Sequence, residues 1–216
     1  QECFRKAGLP IPDFWVLSRS HREVPVAVEQ LLASGAAVVV KPASQGSSIG
    51  VHIVRRREEL DAALADAFGY DERLLVDRFI RGRELTVGIL EDRALPIVEI
   101  KPTHAFFDFE AKYQKGLTEY IVPAPLDPSV AAALQKDALN AFRALGCRDF
   151  SRVDFILDEK NQGYILEINT IPGFTGTSLL PMAARCAGYE FSQLCVTLIA
   201  NALKRRAYKE DYGSTT

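Results

Sequence analysis

The sequence predicts an α+β fold made of two lobes. Helix-like and strand-like segments both occur along its 216 residues, but without the regular strand–helix–strand repeat of a doubly wound parallel sheet. Several long strand-like segments instead follow one another directly, as they do in antiparallel sheets. We expect two lobes that meet near Asp77, namely residues 1–77 and residues 78–216.

The first lobe combines segments of helical and of strand periodicity. Gly8 and Pro10 interrupt the first helical segment, and a loop rich in Gly and Ser follows Lys41. We predict, in order, a helix to Ala7, a strand Phe14–Leu17, a helix Pro25–Ala33, strands at 36–41 and 51–54, a helix Arg57–Phe68 and a strand at 74–79.

The second lobe begins with two long strand-like segments, ELTVGILE and ALPIVEIK. Apolar residues at helical spacing, preceded by Asp127, predict an amphipathic helix further along the chain. We predict an irregular loop Phe107–Ile121, the amphipathic helix Pro128–Leu145, a hairpin Arg152–Asn169 and C-terminal helices to about Ala207.

The composition of the chain narrows the kinds of binding partner that can be expected. The net charge of -2 and the absence of a long apolar run argue against nucleic acid or a membrane as partner and favour a small soluble ligand. The four cysteines form no CxxC pair, which indicates reduced thiols in a cytoplasmic protein rather than a zinc site. The chain starts with Gln1 and its one methionine is Met182, so we expect a fragment of a longer protein.

The hairpin RVDFILDEKNQGYILEIN places acids together. Pairing that is symmetric about the turn 158–163 sets Asp154 opposite Glu167 and Arg152 opposite Asn169. Facing carboxylates repel one another, so this pair calls for a cation between them. Two carboxylates and an amide oxygen are ligands suited to magnesium. The alternative is a surface cluster in which Arg152 neutralises the acids.

The back of the same hairpin is predicted to face the core through Val153, Phe155, Leu166 and Ile168. A second candidate site is the loop KPASQGSSIGV, whose small residues suit backbone N–H groups around phosphate oxygens, with Lys41 as a point charge. It is not a Walker A motif, because the lysine precedes the glycines and a strand follows. An ordinary hairpin turn beside a solvated lysine is the alternative.

Five stretches, taken together and in this order, resemble the D-alanine:D-alanine ligases of the ATP-grasp superfamily: VVVKPASQGSSIGV, RFIRGRELTVGIL, FEAKY, SRVDFILD and YILEINTIPGFTGTSLLPMAARCAG. The resemblance implies the ATP-grasp fold, in which two α+β lobes grip ATP. It further implies an ATP-dependent, ADP-forming ligase that joins two D-alanines through an acyl phosphate for peptidoglycan synthesis, using Mg²⁺ or Mn²⁺, with two ions.

The resemblance also implies roles for single residues. Lys41 and Ser47 would contact the ATP phosphates, Ser47 also reaching the mobile loop. Asp77 stands where the family often has the Glu that reads the adenine amino group. Asp154, Glu167 and Asn169 would bind the metal ions. Arg78, Phe79 and Ile80 would form the adenine pocket, and Glu84 would bind the ribose.

The remaining implied roles concern chemistry on the acyl phosphate. Lys112 and Tyr113 would belong to a loop that closes over the site and excludes water. Arg152 and the backbone N–H of Gly173 would stabilise the oxyanion formed when the second amine attacks. Ser178 and Leu179 would bind the carboxylate of the second D-alanine.

Two alternatives to the D-alanine:D-alanine ligase function remain open, one of them another ligase and the other from a different class of protein. A D-alanine:D-lactate ligase or another D-amino-acid ligase is the nearest rival, and a nucleotide-binding module without turnover is the rival from another class. D-alanine and ATP are the implied partners, and a homodimer is left open. In the family, a domain preceding the stretch aligned with Gln1 holds the first D-alanine, so we expect the 216-residue chain alone to bind ATP with magnesium without making dipeptide.

Overall fold

The structure is a computed structural model that describes residues 1–46, 48–102 and 118–212, with side chains described as far as Lys204. The helices are α1 (Glu2–Lys6), α2 (Val26–Ala33), α3 (Arg57–Ala67), α4 (Pro128–Ala144), α5 (Leu179–Cys186) and α6 (Phe191–Tyr212). The strands are β1 (Phe14–Ser18), β2 (Val38–Pro42), β3 (His52–Val54), β4 (Arg73–Arg78), β5 (Gly82–Leu90), β6 (Arg93–Ala94), β7 (Val98–Pro102), β8 (Thr118–Ile121), β9 (Phe150–Asp158) and β10 (Gly163–Asn169).

Helices combined with antiparallel sheets confirm the predicted α+β class, and most predicted elements are present with ends shifted by one or two residues. The predicted loop Phe107–Ile121 is wrong at its end, because Thr118–Ile121 forms β8 at the edge of a sheet. The last helix continues beyond the predicted Ala207 to Tyr212.

The chain divides into two compact units. Among the described residues, one comprises Pro12–Arg81, and the other comprises Gln1–Ile11, Gly82–Lys101 and 120–212; residues 102, 118 and 119, at the ends of β7 and β8, group with the first. The division thus differs from the predicted one after Asp77: it falls four residues later, and the first eleven residues belong with the later part of the chain. The physical reason is that Phe4 and Leu9 are buried in the core formed by α4 and β9.

The first unit contains a sheet with the strand order β1-β4-β2-β3, in which the neighbours are antiparallel. Alternate residues of β2, Val38 and Val40, are fully buried. They pack with residues of α2 and α3, such as Val28 and Leu60, in one apolar core. This alternation orients the side chain of Lys41 away from that core.

The second unit is built on a sheet with the order β10-β9-β5-β7-β8, to which β6 is joined through β5. Helix α4 covers one face: Leu134 and Phe142 pack against Leu85 and Val153. Helices α5 and α6 pack against the other face of the sheet, to which Leu90 and other residues of the opposite orientation contribute. The part of this second face that the two helices do not cover carries the polar residues described next.

None of the helices in the described residues has both the length and the apolar composition needed to span a membrane.

Candidate functional site

The polar patch lies on β5, β9 and β10 of one unit. Glu167 pairs with Asp154 and Asn169 pairs with Arg152, so the predicted facing pairs are confirmed. On its other side, Asp154 faces Thr86 of β5. Directly paired residues of neighbouring strands point to the same face of a sheet. Five polar side chains from three strands therefore share one face.

A β-bulge sets this register. The predicted symmetric alignment is wrong near the turn, where Gly163 pairs with Leu157 and Ile165 with Phe155. The register then shifts between Ile165 and Glu167, so that Leu166 is the extra residue. The prediction that Leu166 faces the core is consequently wrong: Ile165 is fully buried there, and Leu166 is half-buried.

Hydrogen bonds connect the patch. Both guanidinium arms of Arg152 bind Asp154, with Nε 2.8 Å from Oδ1 and Nη2 2.8 Å from Oδ2. Thr86 Oγ1 lies 2.6 Å from Asp154 Oδ1. Asn169 Nδ2 donates to Asp154 Oδ2 at 3.0 Å and to Glu167 Oε1 at 3.1 Å. Arg152 thus neutralises Asp154, as the ion-cluster alternative expected, whereas the carboxylate of Glu167 is exposed.

The carboxylates of the patch favour the charged form of Arg152 and would also attract an additional cation. Burial lowers the pKa of Arg152, but its hydrogen bond to Asp154 and the charges of Asp154, Glu167 and Glu84 outweigh burial and raise this pKa. Glu84 is two residues before Thr86 on β5 and so shares its face. Three carboxylates accompany one guanidinium, which leaves the patch with negative charge available for a cation.

The segment after β10 brings the predicted substrate residues together. A Cβ added to Gly173 would lie 3.1 Å from Ser178 Oγ. Ser178 is at the N-cap position of α5, yet its hydroxyl makes no cap hydrogen bond and instead contacts the N–H and the hydroxyl of Thr175. Leu179 is the first helical residue, and such an N–H has no acceptor within its own helix.

Helix α5 lies on the sheet face that carries Arg152. Gly88 faces Arg152 across the strands, and a Cβ at Gly88 would lie 2.7 Å from Leu180 Cδ1. Phe174 packs against Phe150 of β9, with 5.9 Å between the ring centroids. These contacts fix the start of α5 close to the polar patch of the same unit.

In the other unit, the structure joins Lys41 and Asp77. Lys41 Nζ lies 2.5 Å from Asp77 Oδ2, and the side chain of Asp77 is only 4% exposed. The backbone N–H groups of Arg78 and Phe79 donate to Asp13 and Ala37, respectively, so neither is available to a nucleobase. Phe79 and Ile80 are half-buried at the end of the unit's sheet.

Asp71 holds the start of the Gly/Ser loop, which sequence reasoning did not predict. Its Oδ2 accepts from the Ser44 N–H at 2.7 Å and from the Ser44 hydroxyl at 2.5 Å. The Ser44 hydroxyl and the Arg73 N–H, together with further amides, lower the pKa of Asp71 to about 2. Gly50 closes the loop at φ +67°, where the ring of Tyr70 leaves no space for a Cβ.

Three predicted site residues, Ser47, Lys112 and Tyr113, lie outside the described residues.

An open cavity of about 750 Å³ lies apart from the polar patch, beside the turn between β5 and β6. Asp92, Arg143, Cys147 and Asn201 are among its lining residues. None of the predicted site residues that the structure describes lines it, and Arg143 pairs with Asp92 across its wall.

Comparisons with known proteins point to one family. A protein named D-alanine–D-alanine ligase from Methylacidiphilum infernorum is 45% identical over 91% of this chain and 62% of its own length. The chain thus spans less than two thirds of this curated relative.

Two solved structures share the fold. The D-alanine–D-alanine ligase of Bacillus anthracis complexed with ATP superposes with a TM-score of 0.81 at 32% identity, over 96% of this chain and 66% of that one. The VanG D-Ala:D-Ser ligase of Enterococcus faecalis gives a TM-score of 0.79 at 31% identity, over 92% and 59%. The sequence model described as "D-ala D-ala ligase C-terminus" matches residues 3–200. The chain therefore belongs to the D-Ala–D-Ala ligase C-terminal family, with its ATP-grasp fold.

Proposed function

We propose that this protein acts in the ATP-dependent joining of two D-alanines, through an acyl phosphate, for peptidoglycan synthesis. The observation that carries the proposal is the polar patch, in which Asp154 faces Glu167 and Arg152 faces Asn169, the two pairs that were predicted. Membership of the ligase family supports it, since the relatives are named D-alanine–D-alanine ligases and one of them is a complex with ATP.

The patch fits a hard divalent cation. Asp154 and Glu167 offer carboxylate oxygens, and rotation of the Asn169 amide by half a turn would present Oδ1 in place of Nδ2. Among the described residues no group of three or more His, Cys, Asp or Glu side chains is placed to hold a metal ion, so Asp154, Glu167 and Asn169 would need water and phosphate oxygens to complete a magnesium shell. Bound Mg²⁺ or Mn²⁺, in our proposal two ions, would neutralise charge on the ATP phosphates.

The chain's own residues would bind and orient the substrates. Lys41 would leave Asp77 to contact the phosphates, as a lysine on a flexible stem can. Glu84 would accept hydrogen bonds from the ribose hydroxyls. The Arg78 carbonyl, with the side chains of Phe79 and Ile80, would contact the adenine, and Asp77 would lie beside its amino group.

Arg152 is suited to an oxyanion, because its guanidinium is charged and held in place by Asp154. The N–H of Gly173 would be the second donor. Ser178 Oγ and the N–H of Leu179 would bind the acceptor's carboxylate at the start of α5. Ser47, Lys112 and Tyr113 keep the phosphate and lid roles that were predicted for them.

The test is ligation itself. The chain is fused to the portion of the M. infernorum ligase that the match leaves out, then supplied with ATP, Mg²⁺ and D-alanine, and dipeptide and ADP are measured by mass spectrometry. We expect dipeptide and ADP in equal amounts. The matched control is Arg152→Lys, which keeps the charge but not the two-armed contact and should lower the rate. ATP binding without any dipeptide from the fusion would instead identify a nucleotide-binding module.

A second acceptor is the alternative favoured by the likeness to the D-Ala:D-Ser ligase. The same fusion is given D-alanine with an equal concentration of D-serine or D-lactate at neutral pH. We expect D-alanyl-D-alanine as the main product. A mixed product in excess would assign the chain to a ligase with another acceptor.

We further propose a cytoplasmic location and leave a homodimer as a prediction. The four cysteines, all within the described residues, are free thiols, which supports a reducing compartment. Light scattering of the purified fusion measures its mass and decides between monomer and dimer.

A further inference from the structure

Thr86 places a buried hydroxyl directly against the proposed metal ligand Asp154. It is 1% exposed and pairs with Asp154 across β5 and β9. Its Oγ1 lies 2.6 Å from Asp154 Oδ1 and 3.2 Å from the Val153 carbonyl oxygen. A hydroxyl has one proton to donate, and the shorter contact to the charged oxygen identifies the carboxylate as its acceptor.

Packing alone does not call for this hydroxyl. A strand position opposite another strand favours any β-branched residue, so valine would fill the same space without a polar atom. Burying a hydroxyl is unfavourable unless it is hydrogen-bonded. The hydroxyl of Thr86 meets that requirement through Asp154, on the face of the sheet that carries the patch.

The other two donors to Asp154 also have proposed roles toward ligands. Arg152 would serve the oxyanion while Asp154 holds it in place, and Asn169 would turn its amide to present its oxygen to a cation. Thr86 is buried and has no route to a ligand, so its hydrogen bond to Oδ1 serves Asp154 alone. That bond helps to hold Oδ1 in place, and the turn of Asn169 frees Oδ2 of one donor and leaves room there for the cation.

We propose that Thr86 is a positioning residue that acts through Asp154 to set the affinity of the site for its divalent cation. This inference rests on the metal site of the proposed function. Thr86 itself would touch neither the metal ion nor the substrate. Its effect is therefore measured as a change in metal affinity rather than in turnover.

The test is Mn²⁺ binding by the 216-residue chain with ATP present, followed by electron paramagnetic resonance of free and bound Mn²⁺. Thr86→Val should lower the Mn²⁺ affinity by about 10-fold to 100-fold, the range for lost outer hydrogen bonds at metal sites, and Thr86→Ser should retain most of it. ATP affinity in EDTA should be equal in all variants. If Thr86→Val does not fold, Thr86→Ser and Thr86→Ala make the same comparison, since both lose the methyl group and only Ser keeps the hydroxyl.

Ser151→Ala is the matched control. Ser151 is a fully buried residue of β9 whose hydroxyl has no hydrogen-bond partner among the described residues, so its loss should leave Mn²⁺ affinity unchanged. Unchanged affinity in Thr86→Val, or equal losses in the Ser and Val variants, would overturn the role of Thr86 alone. A wild-type chain that binds no Mn²⁺ with ATP would overturn the metal site of the proposed function as well.

Discussion

Two arginine–aspartate pairs in the same unit have almost the same geometry and very different surroundings. Arg152 binds Asp154 through contacts of 2.8 Å and 2.8 Å, and Arg143 binds Asp92 through contacts of 3.0 Å and 2.7 Å. The side chains of the first pair are 20% and 11% exposed, and those of the second are 56% and 55% exposed. A two-armed contact by itself therefore does not mark a functional site.

The first pair differs in what surrounds it. Asp154 also receives hydrogen bonds from Thr86 on β5 and Asn169 on β10, so donors from three strands fix its carboxylate. In the partly buried patch, electrostatic interactions are screened less than they are at the surface. These conditions suit a site that must hold a metal ligand in one orientation.

The largest effect is expected from Glu167→Gln. Loss of the anionic ligand should weaken Mg²⁺-dependent ATP binding by about 100-fold or more, at or above the upper end of the losses known for outer-shell changes at metal sites. Metal-dependent turnover of the fusion should fall with it. The glutamine oxygen can still accept from Asn169, and the repulsion with Asp154 is gone, so metal-free stability should not fall. Calorimetric titration with Mg²⁺ and with EDTA measures the first expectation; affinity within a few-fold of wild type would remove Glu167 from the metal site.

Next in size is Arg152→Met, judged by stability alone. The variant leaves the buried Asp154 without its cation, which should cost about 3 kcal/mol of unfolding free energy. Arg152→Lys keeps the charge without the two-armed contact and should recover part of the loss. Urea unfolding at neutral pH measures both variants. If Arg152→Met unfolded at the wild-type urea midpoint, the burial of this pair would contribute nothing to the stability of the protein.

The sequence predicted the central pairing of the patch from strand alternation and one turn, but Asp154 faces Glu167 only because a bulge offsets a one-residue difference at that turn. It did not predict the bulge at Leu166, since an extra residue leaves no sign in a pattern of apolar residues. The correct pairing at Glu167 thus arose from a symmetric alignment that was wrong near Gly163.

Thr86 and Asp71 were missed for a different reason. Each acts on a residue that is distant in sequence: Thr86 on Asp154, 68 residues away, and Asp71 on Ser44, 27 residues away. Such contacts depend on which strands become neighbours, and periodicity within a segment carries no information about that. The same limit explains why the sequence did not show that Phe4 and Leu9, although recognisably apolar, pack with residues of α4 and β9.

Asp71 extends the comparison to a carboxylate held by hydroxyl and amide donors. Its folded pKa of about 2 lies below the ordinary value of 3.8, so its stabilising effect is complete above about pH 4 and is lost as the pH falls towards 2. The melting temperature of wild type should therefore exceed that of Asp71→Asn at pH 5, and the two should converge by about pH 2. A difference that stays constant from pH 5 to pH 2 would show that the charge of Asp71 does not support the Ser44 loop.

The smallest effect is expected from Arg143→Met, which removes the exposed pair. The hydrogen bond from Arg143 lowers the pKa of Asp92, so charge on Asp92 is favoured by the pair, but water solvates both groups equally well once they separate. We expect a melting temperature and a Mn²⁺ affinity that cannot be distinguished from wild type, at low and at high salt. Because the two pairs share one unit and one geometry, the comparison of Arg143→Met with Arg152→Met isolates burial and additional donors as the cause of any difference. Equal destabilisation by the two substitutions would show that the two-armed contact itself, wherever it lies, supplies the stability that we assign to the buried patch.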